Sequence, residues 1–161
     1  MTANGDTELG NAVNNKVTIK NGTIDASVYG GAVNGEGNAT GNEVIIESGT
    51  ITGMVFGGSA AENGYTEGNK VTVTEGTFSN KIYGGNSKKN KSNNNIVTIN
   101  GGTFTNTMTD GIYGGYSAQN TNDYVATGNQ VIINGGTFTS KVYGAYSQYG
   151  NCLLYTSDAA D

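Results

Sequence analysis

The side chains able to do chemistry in this chain are carboxylates, lysines, aromatic rings and amides. Eight lysines supply all of its positive charge, and it has no histidine and no arginine. Thirteen acids bring the formal net charge to −5. Glycan-cleaving enzymes hold two carboxylates at a fixed separation, or set a base beside a metal-binding acid cluster. Here the acids are scattered. Glu43 and Glu47 share the outer face of one strand, and Glu75 follows one copy later. Stacked, they make at most a weak cation site, and a solvated polar face is the simpler reading. Neither catalytic residues, a metal site nor a cofactor site is expected. The recurring side chains offer non-covalent chemistry instead. One row is aromatic: Tyr29, Phe56, Tyr83, Tyr113 and Tyr143. The other is amide: Asn15, Asn42, Asn69, Asn95 and Asn129.

These rows recur because the chain repeats itself. The Gly-Thr pair returns at Gly22-Thr23, Gly49-Thr50, Gly76-Thr77, Gly102-Thr103 and Gly136-Thr137, in steps of 27, 27, 26 and 34 residues. A period in this range is the mark of a stacked repeat architecture. In each copy an Asn stands two residues before a Val, and that Val two before an Ile or Val, as in Asn42-Val44-Ile46 and Asn69-Val71-Val73. Period two places these side chains on one face of a strand. A second short strand follows each Gly-Thr and carries Ile24, Ile51, Phe78, Phe104 and Phe138. A third carries Val28, Val55, Ile82, Ile112 and Val142, each followed by its aromatic and by glycine. A loop of variable length, rich in Asn, Ser, Gly and Lys, closes the copy, with Gly at its corners. No pattern at the helical period occurs.

Three short strands and a loop in about 27 residues describe one coil of a parallel β-helix, stacked on the next at about 4.8 Å. Like residues then lie on like residues. An inward Asn is costly unless its amide is satisfied, so five of them at one offset predict a hydrogen-bonded ladder. One coil buries too few apolar side chains to offset the ordering of its backbone, so stability is expected from coil–coil contacts. Open ends of such a stack are expected to self-associate. Strict alternation from Val28 points the aromatic row outward, as a sticky stripe for glycans or partners. The glycine bend that follows would instead tuck the rings into a corner of the core, and the corner is the preferred expectation.

Composition excludes several classes. An acidic chain lacks the basic stripe that nucleic-acid binding needs. No apolar run approaches the roughly 18 residues that span a bilayer, and the opening MTANGDTELG has no signal-peptide pattern. Leucine-rich repeats need Leu, propeller blades need about 40 residues, and the calcium-binding nonapeptide does not occur in series. An ice-binding array of outward Thr18, Thr72 and Thr98 is interrupted by Ile45 and Ile132. The fourth copy is longer, around 106–109 and 120–126, with Asp110 and Asp123 flanking it; a tolerated surface insertion is expected there. Residues 152–161, CLLYTSDAAD, match no position of the repeat and resemble a translated adapter used in DNA library preparation. They include the chain's single Cys, and they are expected to be a non-native tail on a β-helix fragment of residues 1–151 that is incomplete at both ends.

With Asn-x-Val-x-Ile, GGTFTNTMTDGIYGG at 101–115 and GGTFTSKVYGA at 135–145 laid out, residues 11–147 resemble the repeat region of bacterial surface adhesins, the passenger part of autotransporter-type proteins. The resemblance implies a right-handed parallel β-helix of about five coils. It implies export to the outer surface or the extracellular space, and a non-catalytic role in attachment to a glycan or a host protein. Membrane attachment would come only through parts of a parent chain not present here. The alternatives are a fragment of a polysaccharide-active β-helix enzyme and, less favoured, an ice-binding solenoid.

Overall fold

The computed structural model describes residues 10–105, 111–118 and 126–148. The chain forms a parallel β-solenoid of five coils, with no helix among the described residues. The Asn-Val-Ile strands are Lys16–Ile19, Glu43–Ile46, Lys70–Val73, Ile96–Ile99 and Gln130–Ile133, and they form one five-stranded sheet in chain order. The two-residue strands after Gly-Thr, from Thr23–Ile24 to Thr137–Phe138, form a second. The strands that carry the aromatics, Val28–Val33, Val55–Ala60, Ile82–Ser87, Gly111–Ser117 and Lys141–Ser147, form a third.

The register is the one the repeat predicts. Val17, Val44, Val71, Val97 and Val131 pair in sequence, as do Thr23, Thr50, Thr77, Thr103 and Thr137. The register survives the longer fourth copy, because Asn95 and Asn129 bond across its 34 residues just as Asn42 and Asn69 bond across 27. Most of that insertion lies outside the described residues, as do Asp110, Asp123 and the tail at 152–161.

A fourth sheet is added where only loop was expected. Its strands are Ala12–Val13, Ala39–Thr40, Thr66–Glu67 and Ser92–Asn93. Each begins with a small residue three positions before the ladder Asn, and Ala39, Thr66 and Ser92 are fully buried there. Ala126, fully buried, holds the same place before Asn129. A small side chain lets the backbone run close to the Asn column.

The main core is a column of branched aliphatics with one of phenylalanine. Val44, Ile46, Ile51, Val55, Val71, Val73 and Ile82 are among its fully buried members. Phe78, Phe104 and Phe138 stack at 4.9 and 4.7 Å between ring centroids.

Candidate functional site

The amide row is a ladder inside the solenoid. The backbone N–H and the Nδ2 of Asn42 both donate to Oδ1 of Asn69, at 3.0 and 2.9 Å. Those of Asn15 donate in the same way to Asn42, and those of Asn69 to Asn95. The second Nδ2 proton goes sideways, to the carbonyl of Ala12 from Asn42 and of Ala39 from Asn69, each at 2.9 Å. Each interior Asn thereby uses both Nδ2 protons and accepts two bonds on one oxygen, which fills its capacity. All the amides point the same way along the axis, so their dipoles reinforce one another. Asn42, Asn69 and Asn95 are fully buried, and the ladder leaves them nothing to offer a ligand.

Room for the ladder comes from the glycine pair that follows each aromatic. A Cβ on Gly31, Gly58, Gly85 or Gly115 would stand 2.2–2.4 Å from the amide carbon of the Asn one coil on. The preceding Gly30, Gly57, Gly84 and Gly114 would each strike the carbonyl oxygen of the glycine one coil on, at 2.3–2.5 Å. The pair is required by close approach in the core rather than by a bend.

The aromatic row lies elsewhere than the favoured expectation. Its rings are not in a corner of the main core. They form a separate cluster with Met54, Tyr116 and Tyr146 packed against it, on the side to which alternation from the buried Val28 directs Tyr29. Tyr29 is 43% exposed, whereas Phe56, Tyr83 and Tyr113 are buried by their neighbours above and below. Successive ring centroids are 4.8, 5.1, 5.0 and 5.0 Å apart, with planes within 4–13° of parallel. Carbon atoms in contact sit about 3.5–4.0 Å apart, so rings spaced at the coil repeat must lie tilted and offset.

A second aromatic pair had gone unrecognised in the sequence. Tyr116 and Tyr146 stand three residues after Tyr113 and Tyr143 on the same strands. They stack on each other at 5.3 Å, and each spans two rungs of the first row. Tyr116 is 5.6 Å from both Tyr83 and Tyr113, at 74° and 82°. Tyr146 is 5.9 and 5.4 Å from Tyr113 and Tyr143, at 78° and 74°. Register places Ala32, Ser59 and Asn86 at the corresponding positions of the first three coils. With no ring there, a groove of about 550 Å³ runs along the aromatic row. Its lining includes Tyr29, Phe56 and Tyr83 of the row together with Asn34, Ala61 and Lys88.

The acids are engaged at the surface. Glu43 pairs with Lys16 at 2.9 Å, and Glu62 pairs with Lys89. The Lys89 ammonium, by hydrogen bond and by charge, holds the Glu62 carboxyl below its ordinary range, with a smaller contribution from Lys88. Among the described residues no three His, Cys, Asp or Glu side chains come together as a metal cage would need. No described helix is long and apolar enough to cross a membrane.

The fold and the groove define a β-solenoid with an aromatic outer face. No family model matches the chain, and neither does any curated protein or solved structure with which it was compared.

Proposed function

We propose that the chain is a non-catalytic repeat module of a secreted or cell-surface protein, built to hold a rigid aromatic face toward a glycan or protein partner, as the adhesin-type resemblance implies. The observation that carries this reading is the existence of two separate hydrophobic clusters. The inner one runs through the stack and packs coil on coil. The outer one lies on the solvent side of a sheet, beside an open groove, where a scaffold alone has no need of five stacked rings. Aromatic side chains with a polar tip suit a surface that must both pack and hydrogen-bond. Pairing of Glu43 and Glu62 with lysines favours this reading over the polysaccharide-cleaving one, which needs two carboxylates facing one bond.

The test is binding to a glycan array and to host cells, run beside a reducing-sugar release assay on the same polysaccharides. Retention without release is the expected result. Release of sugar, abolished by Glu43→Gln, would replace this reading with the enzymatic one.

A further inference from the structure

The first and last coils present unlike faces, and the two faces complement each other. In the inner ladder each Asn sends its backbone N–H and one Nδ2 proton to Oδ1 of the Asn one coil on. The column therefore ends in an acceptor at coil one, Oδ1 of Asn15, and in donors at coil five, the N–H and an Nδ2 proton of Asn129. None of these has a partner among the described residues. The apolar columns are open at coil five as well. Ile133 is 44% and Val142 40% exposed, whereas Ile99 and Ile112, their partners in register one coil back, are fully buried. We infer that coil five takes coil one of a second copy of this chain, head to tail, and that Ala145 limits how tightly it does so.

The junctions inside the molecule show what such a contact is. Continuing their register sets Val131 on Val17, Ile133 on Ile19 and Tyr143 on Tyr29, the same columns that pair from coil to coil within one copy. Asn129 then donates to Asn15, and Asn15 to the carbonyl of Ala126, as Asn42 does to that of Ala12. No like charges meet: Lys16 falls against Gln130, Asp25 against Thr139 and Lys141 against Ser27. The chain has no Pro to block an edge strand. Two coil-five faces brought together would set donors against donors in the Asn column, which favours the head-to-tail arrangement. Such an interface leaves a free face at each end, so association is open-ended.

Coil five departs from the other coils at one point of this face. Gly31, Gly58, Gly85 and Gly115 make room for the Asn one coil on, and a Cβ on any of them would stand 2.2–2.4 Å from its amide carbon. Ala145 holds that position in coil five, in register with Gly115. Its methyl group takes space that the Asn15 amide of the second copy needs. The junction therefore forms with its ladder displaced from the inner geometry, and more weakly than the inner ones.

The experiment follows the full chain by sedimentation velocity over a range of concentrations, with the fold of each variant checked by far-UV circular dichroism. A145G is expected to self-associate at a concentration lower than the parent by roughly tenfold or more. V142K puts an ammonium group in the open end of its column, at a site already exposed in the single copy, and is expected to abolish association. V17K blocks the other face and is expected to do the same. An equimolar mixture of V142K and V17K, each with one good face, should recover a dimer that grows no further. No difference between A145G and the parent, whether both associate or both stay monomeric, would overturn the proposal. Dimers of V17K alone would replace it with a coil-five-to-coil-five contact. Association that survives V142K would move the interface off the coil ends altogether. Should V17K fail to fold, A145G and V142K still decide the matter.

Discussion

The two ladders obey different rules, although both repeat once per coil. The amide column admits one residue type: all five positions are Asn. The aromatic column admits Phe56 among four tyrosines. The cause is the directionality of the contacts. A rung of the inner ladder must present two donors upward, one sideways and a doubly accepting oxygen downward, and only Asn does so on that short a side chain. A rung of the outer ladder needs a flat face at the right height, which Phe and Tyr share. The outer ladder therefore had freedom to vary, and the column beside it varies too, from Ala32 through Ser59 and Asn86 to Tyr116 and Tyr146. Uniformity marks what holds the coils in register; variation marks the outer surface, where no contact between coils demands one residue type.

The largest effect that would break this comparison comes from near-isosteric exchanges in the two columns. Asn69→Asp removes both Nδ2 donors, so the Ala39 carbonyl loses the amide hydrogen bond and the Asn95 oxygen keeps only the backbone N–H of Asn69, and it sets a charge in a fully buried site. A loss of about 3–5 kcal/mol at neutral pH is expected in urea unfolding. Burial raises the folded-state pKa of the new carboxyl, so the deficit grows as pH rises above its unfolded value near about 3.9 and shrinks below it. Phe56→Tyr, by contrast, is expected to stay within about 1 kcal/mol, since its neighbours in the column are already tyrosine. Equal costs for the two exchanges would show that the inner ladder is not held by its hydrogen bonds.

The glycines supply the next test. Gly58→Ala places a methyl group 2.4 Å from the Asn69 amide carbon and 2.5 Å from its nitrogen and oxygen, an amide pinned by the ladder. A loss of about 2–3 kcal/mol is expected. Gly35→Ala meets nothing within 4 Å, and the same measurement should find it neutral or slightly stabilising. The glycine pair illustrates which parts of the molecule could be read in advance. Its recurrence was plain in the sequence, as were the strands, the parallel stacking and the Asn column, because repetition averages away the weakness of any single strand signal. Its cause was not, because the clash lies with a residue of the next coil. The fourth sheet was missed for a different reason. Its strands are two residues long and share no hydrophobic pattern, only a small residue at Ala12, Ala39, Thr66 and Ser92 three places before each Asn. That spacing was a usable signal, since the Asn amide donates to the carbonyl of that residue one coil back. The groove was not legible as a repeat at all, because its floor is defined by the failure of a column to repeat.

The smallest effect concerns contacts between coils that lie in water rather than within the stack. Lys89 and Glu62 bridge the third and second coils as Asn69 and Asn42 do, but both side chains are about half exposed. The carboxyl of Glu62 is held low by Lys89 first and by Lys88 second. A depressed folded-state pKa adds stability above the unfolded value, and that contribution is lost as pH falls through the folded one. Solvent screening makes the contribution small. Lys89→Ala is expected to return most of the Glu62 titration toward the ordinary glutamate range, followed by NMR of its side-chain carboxyl. The thermal midpoint should barely move, and less still in high salt. A substantial drop in that midpoint would mean that surface rungs share the work of the Asn column, and the division between an inner ladder that fixes register and an outer surface free to vary would have to be given up.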